Sequence, residues 1–269
     1  MRTTSLRLKQ KESSPPPRLR ELREHRLWSL TSHRPQSQVG SRGRPRAPES
    51  RNGAASDGIV PQVLWQPDVR EAFRALHTRL LASVSTEDHS VFGVSSALSG
   101  EGRTTVALGL AWAMAHDLEG PVLLIDGNLE QPRIDALFDL PLKPGLAECI
   151  ESGGVPLKAL HRVGNLRVMT AGEWRHPPRL LRSSGAQAIM QPLRGLFRVT
   201  LIDLPQVLGS PEGMAMAELA DGLVWVVRAD ASPARVVARA LDMVGRHKLL
   251  GVVLNAERSR IPAWVERLL

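Results

Sequence analysis

The residues Val91-Phe92-Gly93-Val94-Ser95-Ser96-Ala97-Leu98-Ser99-Gly100-Glu101-Gly102-Arg103-Thr104-Thr105 carry the strongest chemical signal in the chain. An apolar run, a glycine loop and a Thr pair that opens a helix follow one another. That order is the layout of a phosphate-binding loop, G-x-x-x-x-G-K-[ST], of which variants begin with Ala. Here Ala97 opens the loop, Gly102 closes it, and Arg103 stands where Lys is expected. Gly100 and Gly102 let the backbone turn tightly and approach an anion without a Cβ in the way. A helix starting at Thr104 aims its free amides and the positive end of its dipole at the same place. Thr104 occupies the hydroxyl position that ligates Mg²⁺, and Thr105 follows it. A glycine turn ahead of a helix in any α/β protein is the plainer alternative. The strand context, both glycines and the Thr pair weigh towards a phosphate loop spanning Ser99 to Thr105.

Arg103 sets the limit on what the loop does. A lysine ammonium is compact and fits under the β- and γ-phosphates, whereas a guanidinium is larger, planar and fixed in a fork. The substitution predicts weakened or lost hydrolysis with binding retained. Two carboxylates complete the constellation: Asp126 ends the apolar run Val122–Asp126, and Asp203 ends Val199–Asp203. In open parallel sheets ligands collect at the carboxyl ends of the strands. Acids at two such ends beside a phosphate loop make a Mg²⁺ site. A pair of helix-capping aspartates is the alternative.

The elements that must position these residues alternate along the chain. Strands are expected at Val91–Ser95, Val122–Asp126, Leu166–Thr170, Val199–Asp203, Leu223–Arg228 and Leu250–Leu254. Helices are expected at Thr104–His116, Pro178–Leu193, Glu212–Ala220 and Pro233–Arg246, and Val69, Phe73, Leu76, Leu80 and Leu81 recur at helical spacing ahead of them. Strands that are apolar nearly throughout are buried on both faces. The fold class is therefore α/β: a doubly wound, mostly parallel P-loop sheet flanked by helices, formed by residues 59–269 as one domain.

Charge divides the chain differently. Residues 1–58 hold 13 Lys/Arg and 5 Asp/Glu and so account for the whole net charge of +8. They are rich in Arg, Ser and Pro and cannot bury enough surface to offset their ordering entropy. A disordered basic tail is expected there, with a short helix near Leu19–Leu30. It reads as a solvated tail, or as an arm for an acidic membrane surface or nucleic acid. Nucleic acid is not the expected partner, because Trp28 is the only aromatic residue in the tail. Cys149 is the only cysteine, which excludes an internal disulfide and a cysteine metal site. No apolar run approaches the roughly 20 residues that span a bilayer, and no apolar stretch follows the N-terminal charges as in a signal peptide. A cytosolic protein is expected. There is no tyrosine.

Glu71-Ala72-Phe73-Arg74-Ala75-Leu76, the phosphate loop, Leu124-Ile125-Asp126-Gly127-Asn128-Leu129-Glu130-Gln131-Pro132 and Leu201-Ile202-Asp203-Leu204-Pro205 together resemble the bacterial tyrosine kinases of capsular and exopolysaccharide synthesis. That family belongs to the deviant-Walker P-loop ATPases, and the likeness covers roughly Asp68 to Glu257. It implies ATP and Mg²⁺ as ligands. Gly100 to Thr105 would hold the phosphates, with Thr104 on Mg²⁺. Asp126 would help activate the attacking hydroxyl, Asp203 would hold the metal through water, and Asn255 would contact the adenine. The departures imply degeneracy. Arg103 replaces Lys, Asn128 and Glu130 replace a second acid and a base, and His77 replaces the last Arg of a helix motif that supports self-association. No tyrosine is present to be phosphorylated.

The resemblance thus implies an ATP-binding component that regulates a membrane-bound polysaccharide chain-length or export protein. Weak or absent kinase activity, nucleotide-dependent self-association and recruitment to the inner face of the membrane would accompany that role. An active ATPase or a kinase for another protein stands as the alternative. A partition- or positioning-type ATPase and a scaffold that binds no nucleotide rank behind it.

Overall fold

The computed structural model describes residues 26–31, 67–82, 89–174, 184–229 and 231–257. In chain order the main elements are β1 (Arg26–Thr31), α1 (Pro67–Leu81), β2 (Ser90–Ser96), α2 (Arg103–Asp117), β3 (Val122–Asp126), α3 (Ile134–Phe138), α4 (Leu146–Ser152), β4 (His161–Val163), β5 (Leu166–Met169), α5 (Ser184–Leu196), β6 (Val199–Asp203), α6 (Pro211–Ala217), β7 (Gly222–Arg228), α7 (Ala234–Val244) and β8 (Leu249–Glu257). The strands form one sheet in the order β1-β8-β7-β2-β6-β3-β5-β4. Every pairing is parallel except that of β4 with β5.

Successive side chains of a strand point to opposite faces, so each apolar strand feeds two cores. Leu123 and Ile125 of β3 join α4, α5, α6 and α7 on one face. Val122 and Leu124, with Phe92 and Val94 of β2, join α1, α2 and α3 on the other. The helices supply matching stripes. Val69, Phe73, Leu76 and Leu80 of α1 are buried on one side. Gly109 of α2 lets α1 come close, since a Cβ there would lie 2.2 Å from the Phe73 ring. The α6 helix begins with Pro211 behind Ser210, whose hydroxyl accepts the Gly213 N–H at 3.1 Å.

The doubly wound, mostly parallel sheet agrees with the expectation, and β3 and β6 have the expected bounds. The expected helix at Pro178–Leu193 is described from Ser184 and runs to Leu196, while residues 178–183 lie outside the described residues. One reading is corrected. Residues 26–31, placed within a short helix in a tail, are a strand that pairs in parallel with β8, Arg26 opposite Gly251 and Ser29 opposite Leu254. An open sheet edge outweighs the local preference of a six-residue segment. The rest of residues 1–58 lie outside the described residues.

This topology brings the ends of β2, β3, β6, β7 and β8 to one rim. The phosphate loop, Asp126, Asp203, Arg228 and Asn255 meet there.

Candidate phosphate-binding site

The loop that follows β2 is held in shape by the chain itself. Gly100 and Gly102 have φ of +79° and +98°, the left-handed region that glycine tolerates. Gly102 is further constrained, because a Cβ there would lie 2.0 Å from Asn255 Nδ2. That side-chain amide donates to the Glu101 carbonyl at 2.8 Å. Asn255 therefore secures the loop backbone from β8. Glu101 is 2% exposed. Its carboxylate accepts the Leu98 N–H at 2.6 Å, the Arg228 N–H at 3.4 Å and the Ser232 hydroxyl. Ser99 and Thr105 are exposed at the mouth of the loop.

Arg103 begins α2 yet turns back under the loop. Its Nη1 donates to Ser96 Oγ at 2.7 Å and to the Leu98 carbonyl at 2.8 Å, and its Nη2 donates to Gln206 Oε1 at 3.2 Å. Ser96 in turn gives its proton to the same Leu98 carbonyl at 2.7 Å. The side chain is almost wholly buried, and its Nε finds no partner among the described residues. Burial lowers its pKa, while Asp203 and Glu101 act in the opposite direction. The planar fork spans three acceptors with two separated nitrogens, a geometry that a compact ammonium does not share.

The two acids face each other in register, Asp126 of β3 beside Asp203 of β6, and both are buried. Their surroundings differ. Asp126 Oδ1 accepts the Asn128 N–H at 3.1 Å, and Oδ2 accepts those of Arg133 at 2.9 Å and Ile134 at 3.0 Å. It thereby ties the start of α3 to the end of β3. Burial raises its pKa and those three N–H groups oppose the shift. Asp203 Oδ2 accepts the Thr104 hydroxyl at 2.6 Å, whereas its Oδ1 is buried without a partner among the described residues. Burial pushes this carboxyl up to about 7, against the Thr104 hydrogen bond and with Asp126 adding to the rise.

Thr104 and Asp203 fit a Mg²⁺ ion. Thr104 spends its proton on Asp203 and keeps its oxygen lone pairs, and Asp203 has an unused carboxylate oxygen. Both are hard oxygen donors of the kind Mg²⁺ takes alongside phosphates and water. Among the described residues no three His, Cys, Asp or Glu side chains gather as a metal cage. A divalent ion here would be completed by phosphate oxygens and water. Sequence reasoning missed Gln206, Ser96 and Ser232. Gln206 carries no signal of its own beyond standing just past Asp203.

No protein-family model matches the chain. It is 27% identical over 194 residues to the tyrosine-protein kinase YwqD of Bacillus subtilis, covering 70% of this chain and 81% of that protein. It is 26% identical over 193 residues to the succinoglycan biosynthesis transport protein ExoP of Rhizobium meliloti, covering 69% of this chain but 24% of ExoP. The kinase domain of VpsO matches 71% of this chain and 97% of its own at 28% identity, with a TM-score of 0.62. The kinase domain of the Escherichia coli tyrosine kinase ETK covers 93% and 97% at 20% identity with a TM-score of 0.72, a likeness of fold. The septum site-determining protein MinD of Pyrococcus horikoshii, solved with Mg-ADP, matches 66% of this chain and 76% of its own at 21% identity and a TM-score of 0.52, again in fold. The chain is a homologue of the bacterial tyrosine kinases of capsule and exopolysaccharide synthesis, built on the P-loop ATPase fold.

Proposed function

We propose that the chain binds ATP with Mg²⁺ at this site and serves capsule or exopolysaccharide synthesis as a nucleotide-sensing regulator with weak or absent phosphoryl transfer. The observation that carries the reading is the Arg103 fork, tied to Ser96, Leu98 and Gln206. Phosphoryl transfer depends on positive charge positioned against the charge that develops on the transferring group. A guanidinium committed beneath the loop does not supply it there. Binding draws on what remains: the free amides and dipole of α2, and Thr104 with Asp203 around Mg²⁺. Asp126 is tied to the start of α3 by three backbone N–H groups, which restrict how it could meet an attacking hydroxyl.

The reading includes a partner. Similarity to the ExoP transport protein supports a membrane-bound chain-length or export protein as the target. Among the described residues no helix is long and apolar enough to cross a membrane, so membrane contact through that partner is the arrangement proposed. Nucleotide binding would set the association state, with itself or with the partner. The 269 residues offer no tyrosine to phosphorylate. A second reading, an active ATPase or a kinase for another protein, draws support from Asp203. Its carboxylate, together with the Thr104 hydroxyl, could hold Mg²⁺ beside a transferring phosphate.

The test is Mg-ATP binding and phosphate release by the full chain beside Arg103→Lys. The native protein is expected to bind without measurable turnover, and Arg103→Lys to release phosphate at least about tenfold faster, a gain of about 1.4 kcal/mol. Native turnover equal to that of the variant would establish the second reading. No binding by either protein would make the loop a relic.

A further inference from the structure

With Arg103 turned inward, the rim has an electrostatic deficit. Asp126, Asp203 and Glu101 are all buried there, and a nucleoside polyphosphate adds negative charge to the same space. The dipole of α2 offsets about half a charge, and the buried Arg103 and a Mg²⁺ ion on Thr104 and Asp203 offset more. A cation with a free head, able to reach the phosphates directly, would come from another element.

Two arginines stand at the rim. Arg133 precedes α3, and its backbone N–H is held 2.9 Å from Asp126 Oδ2, which fixes its Cα beside the acid pair. Its side chain is exposed and makes no hydrogen bond among the described residues. Its charge is nevertheless felt at both Asp203 and Arg103, lowering the pKa of each. Arg228 ends β7 on the other side of β2. It is exposed, with Nη1 at 3.5 Å from the Gly100 carbonyl, a long and weak contact. The loop after β2 is thus bracketed, with Arg228 on the β7 side and Arg133 on the β3 side.

We propose that Arg133 is the principal phosphate-binding cation of this site, with Arg228 as a lesser one, in place of the loop residue. The inference rests on the nucleotide-binding reading. The geometry changes how phosphate is met. A lysine in the loop would approach from beneath, whereas Arg133 offers an exposed head from the start of α3, beside the acid pair. A guanidinium in that position offers paired N–H donors to phosphate oxygens. The ligand class is a nucleoside di- or triphosphate, and a monophosphate gains little.

The experiment titrates the full chain with Mg-ATP, Mg-ADP and AMP, for the native protein and for Arg133→Gln, Arg133→Lys and Arg228→Gln. Arg133→Gln is expected to lose at least about tenfold in Mg-ATP affinity, less for Mg-ADP and almost nothing for AMP. Arg133→Lys should recover part of the loss, and Arg228→Gln should lose about two- to threefold. Thermal unfolding without nucleotide should shift little in Arg133→Gln, because its exposed head makes no bond among the described residues. Mg-ATP affinity within twofold of native overturns the proposal, as does an equal loss for AMP and Mg-ATP. A native chain that binds none of the three overturns the nucleotide-binding reading, and the proposal with it. Native binding alongside an unaffected Arg133→Gln overturns the proposal alone.

Discussion

On the β2 side of the rim the charged groups are held by the chain itself. Arg103 finds Ser96, Leu98 and Gln206, and Glu101 finds Leu98, Arg228 and Ser232. On the β6 side Asp203 has one bonded oxygen and one without a partner among the described residues. Among the described residues the loop side leaves only the Arg103 Nε without a partner, whereas the acid side leaves a carboxylate oxygen, the kind of group a cation completes. A buried polar group without a partner costs more than a made bond returns. The bare oxygen of Asp203 therefore marks where a ligand would be stabilising, and the closed loop marks where one would have to compete.

The contrast breaks first at Gly102. Gly102→Ala forces a side chain into the left-handed region and into Asn255, so it should cost about 3 kcal/mol in chemical unfolding. A loss under about 1 kcal/mol would mean that the loop is not held as described. The acid pair gives the next effect, with opposite signs for its two members. The Asp203 carboxyl has a folded pKa of about 7, above its ordinary value of 3.8. The folded state then binds the proton more tightly, so stability present at low pH is lost as pH rises from about 4 through 7. Asp203→Asn should abolish that slope and be more stable than native at pH 8 by on the order of 2 kcal/mol. Asp126→Asn should instead destabilise by about 1 kcal/mol, through weaker acceptance of three backbone N–H groups. Urea unfolding of both variants at pH 5 and pH 8 compares them directly, and matching signs would end the distinction. The smallest effect is expected from Gln206→Ala. It removes one 3.2 Å bond from Arg103 and should cost less than about 1 kcal/mol in the same assay.

Much of this was legible in the residues. The runs Val122–Asp126 and Val199–Asp203 announce buried strands ending in acids, and they form those strands without a shift. The spacing of the glycines and the Thr pair placed the loop at the start of α2. Other features depend on contacts between distant parts of the chain. The course of Arg103 depends on Gln206, which lies 103 residues away, so the sequence shows the substitution but not its direction. The two aspartates look alike in sequence, each ending an apolar run. Only Asn128, Arg133 and Ile134 folding back onto Asp126 tell them apart. The three-residue β4 is too short for any alternation to show and exists because β5 offers it an edge. Residues 26–31 became a strand by pairing with β8, more than 200 positions later.

That last pairing governs how the protein is handled. β1 covers the outer row of amides and carbonyls on β8, the strand that also presents Asn255 to the loop. A form trimmed to begin after Thr31 would leave this row bare, and a bare edge invites sheet-to-sheet pairing with any neighbour. Self-association measured on such a trimmed form would report a missing strand, and a nucleotide effect on assembly would be hidden beneath it.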